Sequence, residues 1–377
     1  MPPPDRPDRV LVLTAGYGEG HNAAARAVAA ACDEAAGPGT AQLLDLFALA
    51  TPRLDTFIRQ GYLSLINRAP RLWGRAYRWL DGNKSVPGLL PLGAARRKLA
   101  AILEEVRPTV VCSSYPAYSL MLDRLAREGR FSAPHFTIVT DSISINSLWY
   151  HAPSTGWFVP NEDSAEVLRR GGVDPARLHV LGFPVNVFFD DQTGRLAPPR
   201  LTAGAAPRVL YIIHSGTHHA DTTAKLLLAE QDWDITCAVG RDQRLREELS
   251  AIGSRRRRPA QVLGWTDRIP ELLMTHHVLV SKAGGATTQE SIAALCPMIV
   301  NQIVPGQEEG NYELLRRHGS GALATTPDAV LSALRGAFAN RGETWARWRH
   351  ALEPIARPGA GRAIAAHLLG RVRIPSA

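Results

Sequence analysis

Two doubly wound α/β domains in tandem are what this sequence predicts, and three observations predict them. Short apolar runs rich in Val, Ile and Leu alternate with helical segments from end to end. A polar stretch over 186–207, carrying Asp190-Asp191 and Pro198-Pro199, interrupts that rhythm, which then restarts. The chain is 377 residues long, 45% apolar and 21% charged, which is too much for one small core and normal for globular domains. The 32 Gly and 27 Pro are dispersed, so collagen-like, low-complexity and disordered classes are excluded.

Val10–Leu13 reads as a short buried strand and 22–36 as an alanine-rich helix, followed by a strand over 41–46. An irregular, aromatic helical stretch covers 54–80. A helix over 94–106 leads to strand Val110–Cys112, and helix Ala117–Arg127 feeds a strand over 136–139. A strand over 157–159 and a helix over 163–170 complete the first half. In the second half, strands are expected at 209–213, 235–239, 261–263, 278–280 and 298–300. Helices fall between them near 222–229, 243–249, 269–274, 287–294 and 309–317, and three more near 328–339, 345–351 and 359–369 close the chain. The expected division is 1–185, a linker over 186–207, and 208–377, with the last helices as candidates to pack back on the first domain. Two Rossmann-like halves facing each other would leave a cleft between them.

Cys32, Cys112, Cys237 and Cys296 lie far apart with no CxxC or Cys/His spacing, which suits reduced buried thiols better than disulfides or zinc. Met1–Arg9 lacks the apolar core of a signal peptide, and no apolar run nears the roughly 20 residues that span a bilayer. The expectation is a cytoplasmic protein, soluble or lying on a membrane. The formal net charge of +8 favours an anionic partner: nucleic acid, an acidic membrane surface or a phosphorylated substrate.

Three motifs carry chemistry. Thr14-Ala-Gly16-Tyr-Gly18-Glu-Gly20-His21 joins the first strand to the first helix, where glycines let backbone N–H groups approach a ligand. It is neither a dinucleotide fingerprint, since Asp45 is the only nearby acid for a ribose, nor a P-loop, since no Gly-Lys-Ser/Thr follows. His21 is a candidate base or acceptor-binding group, and equally a helix-end histidine that bonds the turn. Ser281-Lys-Ala-Gly284-Gly285-Ala-Thr287-Thr-Gln-Glu290 again opens a helix after a strand and could cradle a diphosphate. Glu290 there is either a ribose acceptor or an ordinary first-turn acid. Pro305-Gly-Gln307-Glu308-Glu309-Gly-Asn311 offers the mixed donors and acceptors that sugar hydroxyls need, or forms a solvated acidic loop.

Together, Gly18-Glu-Gly-His-Asn-Ala-Ala-Ala, Ser281-Lys-Ala-Gly-Gly and Pro305-Gly-Gln-Glu-Glu-Gly-Asn resemble the monogalactosyldiacylglycerol synthase and processive diacylglycerol glucosyltransferase family. That family is of inverting, metal-independent GT-B enzymes, distantly similar to the N-acetylglucosaminyltransferase that makes lipid II. Val139-Thr-Asp141, Trp149, Trp157-Phe-Val-Pro-Asn-Glu162, Gly182-Phe-Pro-Val185 and Val262-Leu-Gly-Trp-Thr-Asp267 resemble further family segments in the same order. The resemblance implies a hexosyltransferase that moves a sugar from a UDP-sugar to diacylglycerol or a similar lipid. Trp265 and Thr266 would border the uracil, Glu290 would bind ribose, and Gly284, Gly285 and Thr287 would lie against the diphosphate. Gln307, Glu308 and Asn311 would orient the sugar. His21 would face the acceptor hydroxyl beside Gly18 and Gly20, with Asp141 as alternative base or support.

No Asp-x-Asp metal motif stands out, so helix N-termini and Lys282 would stabilise the leaving diphosphate without a cofactor. One departure stands in the loop after Ile213. Where the family has a glycine-rich turn, this chain reads His214-Ser215-Gly216-Thr217-His218-His219. Either Ser215, Gly216, Thr217 and the imidazoles still serve the phosphates, or the donor has changed or activity is lost; zinc binding by the three histidines is a further reading. A UDP-sugar 2-epimerase shares the architecture and is the alternative enzyme; a non-catalytic membrane-binding relative is the other.

Between Arg53 and Leu80, arginines at 53, 59, 68, 71, 75 and 78 interleave with Phe57, Tyr62, Trp73, Tyr77 and Trp79 against one acid, Asp55. Without the family resemblance this reads as helices packed on the sheet with solvated arginines. With a lipid-glycosylating resemblance it reads as a segment resting on an anionic bilayer. No nucleic-acid-binding motif accompanies it. Arg255–Arg258 is expected to be a solvated loop.

Overall fold

The structure is a computed structural model that describes residues 8–50, 92–201, 205–306 and 308–370, with Pro52, Gly61, Leu72, Gly74 and Arg75. Tyr62, Trp73, Tyr77, Trp79 and almost all of the basic-aromatic segment lie outside the described residues, as does Gln307. The chain divides into two units, one of Met1–Val187, Pro305–Gln307 and Arg357–Ala377, the other of Phe188–Val304 and Glu308–Ala356.

The first unit is built on six parallel strands: β1 (Val10–Thr14), β2 (Ala41–Asp45), β3 (Val110–Ser113), β4 (His135–Ile138), β5 (Gly156–Val159) and β6 (Leu178–Val180). Their order is β2-β1-β3-β4-β5-β6. Every residue of β1, β3, β4 and β5 is buried, as expected of parallel strands covered on both faces. The chain steps from β1 to β2 on one side and to β3 on the other, so the order reverses between β1 and β3. Helix Glu19–Ala36 buries a face of small residues, including Ala24, Ala27, Val28 and Ala31. Against that helix lies Ala360–Leu368. The two helices approach to where a Cβ on Gly361 would be in ordinary contact, 3.5 Å, with the Ala27 carbonyl oxygen. Arg362 pairs with Glu34 at 2.7 Å, and His367 packs edge-on against Phe136 and Phe158.

The second unit repeats the architecture with β7 (Arg208–Ile212), β8 (Asp234–Ala238), β9 (Gln261–Leu263), β10 (Val278–Lys282), β11 (Met298–Gln302) and β12 (Gly321–Leu323). The order β12-β11-β10-β7-β8-β9 reverses between β7 and β10. The two short strands β6 and β12 are absent from the sequence expectation. Helix Pro327–Leu352 is interrupted at Ala339–Gly342, where Asn340, Arg341 and Gly342 are left-handed, so the two helices expected there are separated by backbone geometry. Within 186–207, Phe188–Asp191 forms one helical turn with Phe189 fully buried. Further along, the His277 ring accepts from the Arg208 N–H at 2.9 Å and donates to the Pro199 carbonyl at 2.8 Å, tying that stretch to the second sheet.

The Arg255–Arg258 run is a loop, as expected, but only Arg255 and Arg257 are solvated. Arg256 is buried and donates to the carbonyls of Leu228 and Glu230, left open where helix Ala220–Ala229 ends, and to those of Trp233 and Arg258. Arg258 forms a two-pronged pair with Asp234 at 2.7 and 3.2 Å. Arg256→Met is expected to cost roughly 2–4 kcal/mol in urea unfolding, because four carbonyls lose their donor together. Arg255→Ala, at an exposed position, should change stability by less than about 0.5 kcal/mol. Equal losses in the two variants would contradict the anchoring role.

Candidate functional site

In doubly wound sheets ligands bind beyond the carboxyl ends of the strands where strand order reverses, and most of the chemistry-bearing residues lie in the loops there. In the first unit the helix begins at Glu19, a turn earlier than expected, which places Gly20 and His21 in its first turn. An acid at Glu19 suits the helix N-terminus, and Gly18 caps it without a side-chain bond. Gly18 is extended and lies beside the ring of His21: a Cβ there would be in ordinary contact with it, 3.6 Å from Cδ2 and 3.9 Å from Nε2.

Strands β1, β3 and β4 all contribute to holding His21. Ser114, just past β3, donates to the His21 carbonyl at 3.0 Å, and Thr14 donates to Asn22 Oδ1 at 2.9 Å. His21 Nδ1 lies 3.0 Å from Thr140 Oγ1, past β4. The imidazole stands edge-on to Tyr115, with ring centres 5.2 Å apart, and 5.8 Å from Trp149. Trp149 also donates its indole N–H to Asp141 Oδ2 at 2.8 Å. The structure therefore gathers His21 and Asp141 around Trp149, while the Nδ1 contact of His21 goes to Thr140. Burial pushes the His21 pKa down to about 4 and that of Asp141 up to about 6, the latter opposed by the Trp149 bond. Asp45, the one nearby acid weighed for a ribose, accepts from the Gly16 N–H at 3.0 Å and so braces the turn.

In the second unit, the loops after β7, β10 and β11 meet. Glu308 is 3% exposed and both its oxygens are engaged, Oε1 with Lys282 Nζ at 2.7 Å and Oε2 with the Val304 N–H at 2.9 Å. Asn311 is buried and donates to the Ala283 carbonyl at 2.9 Å, while its buried Oδ1 has no hydrogen-bond partner among the described residues. These two residues shape the Ser281–Gly285 turn. Gly284 caps helix Gly285–Ala293 with no side-chain bond, and Thr287 and Glu290 follow, half-buried.

Gln302, at the end of β11, accepts from the His218 N–H at 2.8 Å and donates to the Gly216 carbonyl at 3.3 Å, pinning the His214–His219 loop. Gly216 has φ 77°, a conformation that favours glycine, and Ser215 beside it is exposed. His214 Nε2 lies 3.2 Å from Ser281 Oγ, across the point where the order reverses. Burial first, and Lys282 second, lower the His214 pKa to about 4.

Trp265 is 74% exposed after the edge strand β9, two strands from β7, and Thr266 beside it accepts from the Arg268 N–H at 3.2 Å. Among the described residues no three His, Cys, Asp or Glu side chains converge as a metal-ligand group, the three histidines of the 214–219 loop included. Nor is any described helix long and apolar enough to cross a membrane.

Sequence reasoning missed Ser114 and Tyr115 around His21 and Gln302 beneath the histidine loop; Thr140 it singled out only within Val139-Thr-Asp141, without its contact to His21. Ser114 and Tyr115 directly follow β3, a signal that becomes readable only once β3 is known to neighbour β1.

Comparison with known proteins bears on these sites. Residues 21–185 match the family model described as monogalactosyldiacylglycerol (MGDG) synthase. The chain is also 23% identical over 339 residues to the processive diacylglycerol beta-glucosyltransferase of Bacillus subtilis, covering 88% of this chain and 87% of that one. The chain is similar to the diacylglycerol glycosyltransferases. Among solved structures, MurG of Acinetobacter baumannii superposes with a TM-score of 0.63 at 14% identity, covering 97% of this chain and 100% of that one. A putative UDP-N-acetylglucosamine 2-epimerase from Listeria monocytogenes superposes at 0.61 with 12% identity, covering 99% of each chain. Those likenesses show the fold, two Rossmann-like units of the GT-B class.

The geometry around Trp149 has a titration consequence. Followed by NMR, Asp141 should titrate near 6 and the His21 ring near 4. Trp149→Phe removes the bond that holds Asp141 down, so its midpoint should move higher. A downward move would show that the indole does not stabilise the carboxylate.

Proposed function

We propose that this protein transfers a hexose from a UDP-sugar to the hydroxyl of diacylglycerol or a similar lipid, with inversion at the anomeric carbon. The observation that carries the reading is the similarity along 88% of the chain to a diacylglycerol glucosyltransferase. The chemistry collected at the two strand-order reversals supports it. In this reading the diphosphate lies against Gly284, Gly285 and Thr287, where the uncapped amides of helix Gly285–Ala293 supply positive potential. Ser215 and Gly216 border it from the neighbouring loop. Glu290 takes the ribose hydroxyls, and exposed Trp265, with Thr266, offers a face for the uracil. Gln307 orients the sugar, with Glu308 and Asn311 holding the loop and turn on either side.

In the first unit, His21 takes the proton of the lipid hydroxyl as its oxygen bonds the anomeric carbon and the bond to UDP breaks. At neutral pH the imidazole is in its proton-accepting form, since its pKa is lowered to about 4. Asp141, mostly ionised there, favours the imidazolium that forms, and is itself the alternative base. Gly18 and Gly20 keep the approach to His21 narrow in side chains. No metal ion is required in this scheme, and the basic-aromatic segment around Tyr62, Trp73, Tyr77 and Trp79 rests on an anionic bilayer at the cytoplasmic face.

The test is a product assay with UDP-glucose, UDP-galactose and UDP-N-acetylglucosamine against diacylglycerol in anionic vesicles. A β-linked glycolipid should form with at least one donor, and EDTA should leave the rate unchanged. Epimerised UDP-sugar in the absence of lipid would instead support the 2-epimerase reading. His21→Ala should lower turnover by at least about 100-fold while changing UDP affinity less than about threefold. Activity should fall as pH drops through about 6, where Asp141 takes up its proton, and Asp141→Asn should abolish that limb. A limb near 4 in the parent enzyme would assign it to His21 alone.

A further inference from the structure

The loop that departs from the glycine-rich pattern places an imidazole where strand order reverses in the second sheet. Ser281 Oγ lies 3.2 Å from the Ile212 carbonyl, to which only its hydroxyl proton can donate. The same oxygen is 3.2 Å from His214 Nε2, so in the neutral ring the proton sits on Nε2 and is donated to Ser281. Nδ1 then carries a lone pair, and it has no hydrogen-bond partner among the described residues. Facing a phosphate oxygen, that lone pair repels; with a proton added it becomes a charge-assisted donor.

The charged and titratable groups around this imidazole are few. Lys282, at the end of β10, is paired with Glu308 from the loop after β11 at 2.7 Å. That pair is nearly neutral as a unit, and drawing the lysine away would strand a carboxylate that is 3% exposed. His218 and His219, on the same loop, are exposed. An arriving diphosphate therefore meets backbone dipoles and a compensated lysine, with His214 as the group at the reversal that can gain charge without breaking a contact.

We propose that a nucleoside diphosphate-sugar binds at the β7–β10 reversal together with one proton, which His214 holds on Nδ1 against the diphosphate. The inference rests on the reading of this turn as the donor site. It makes donor affinity rise as pH falls: the free ring has a pKa near 4, and the adjacent anion raises it. The site would in turn release that proton when UDP leaves.

The test is calorimetric titration with UDP-glucose and UDP-galactose, whose diphosphate diesters do not themselves titrate near neutrality, in buffers of different ionisation enthalpy between about pH 5 and 8. The parent protein should take up close to one proton at the acid end, its affinity falling by up to about tenfold per pH unit until the bound ring titrates. His214→Gln, whose amide can still donate to Ser281, should bind with no proton uptake and a nearly flat pH profile. Uptake that persists in His214→Gln would place the proton elsewhere, with Glu308 the first alternative, and would overturn the proposal. Binding by the parent without uptake would overturn it equally. Failure of the parent to bind either donor would instead sink the donor-site reading itself, and this inference with it. Should His214→Gln not fold, NMR of histidine-labelled parent protein reads the same point: saturating UDP-galactose or UDP-glucose must shift the His214 ring toward imidazolium, and an unshifted ring refutes the idea.

Discussion

Everything functional here follows from a constraint on parallel sheets. Parallel neighbours need crossover connections, so strand ends on one edge all meet loops and helix starts. Where the order of strands reverses, the loops of two adjacent strands diverge to opposite faces and leave backbone groups uncovered. In the first sheet this happens between β1 and β3, in the second between β7 and β10. The residues that matter are recruited to these two places from stretches distant in sequence: Ser114 reaches His21 across 93 residues, and His214 meets Ser281 across 67. A glycine-rich turn by itself specifies none of this; the neighbouring strand supplies the side chains that make the turn a site.

How much was legible in the sequence depended on how local the cause was. Helix Ala117–Arg127 has the expected bounds because its apolar spacing is regular and its face is buried along its length. Strand β1 gains only Thr14 beyond the expected run. By contrast, β6 and β12 are three-residue edge strands that are incompletely buried, and Gly321-Ala-Leu323 carries no β-branched residue. Register with β11 makes that segment a strand, and register is not written in a three-residue pattern. Arg256 was misread for a similar reason. An arginine in a basic run looks solvated until the helix ending at Ala229 and the turn at Trp233 bring their carbonyls around it.

The candidate site divides along the same line. His21, Gly284, Gly285, Glu308 and Asn311 stand out as residue types at strand–helix junctions, so a linear reading finds them. What that reading leaves out is which polar atoms are already spent. Glu308 looks like a free sugar ligand in a string of polar residues, yet its carboxylate binds Lys282 and closes the loop at Val304. Removing one member of such a buried pair typically costs about 3–5 kcal/mol, so its first consequence is local structure. Asn311 likewise spends its amide N–H on Ala283, which fixes the carbonyl directions of the turn before any ligand arrives.

The two sites handle charge in opposite ways, and this bears on how one reaction could use both. Around His21 the protein assembles a neutral imidazole and a carboxylate held near the point of ionisation, with Trp149 touching both. Such a setting keeps the imidazole unprotonated at neutral pH, in the form that can accept a proton. Around Ser281 the positive charge present is already compensated by Glu308, and the imidazole is again neutral. A site of that kind binds an anion strongly only by gaining a proton or by relying on helix dipoles. In the proposed reaction, donor capture and acceptor activation would respond to pH with opposite sign: acid would favour charging His214, whereas it would disable Asp141 and, lower still, His21. A transferase built this way has its working range bounded on the acid side by its base and on the alkaline side by its grip on the donor, and both bounds are set by burial within the individual units.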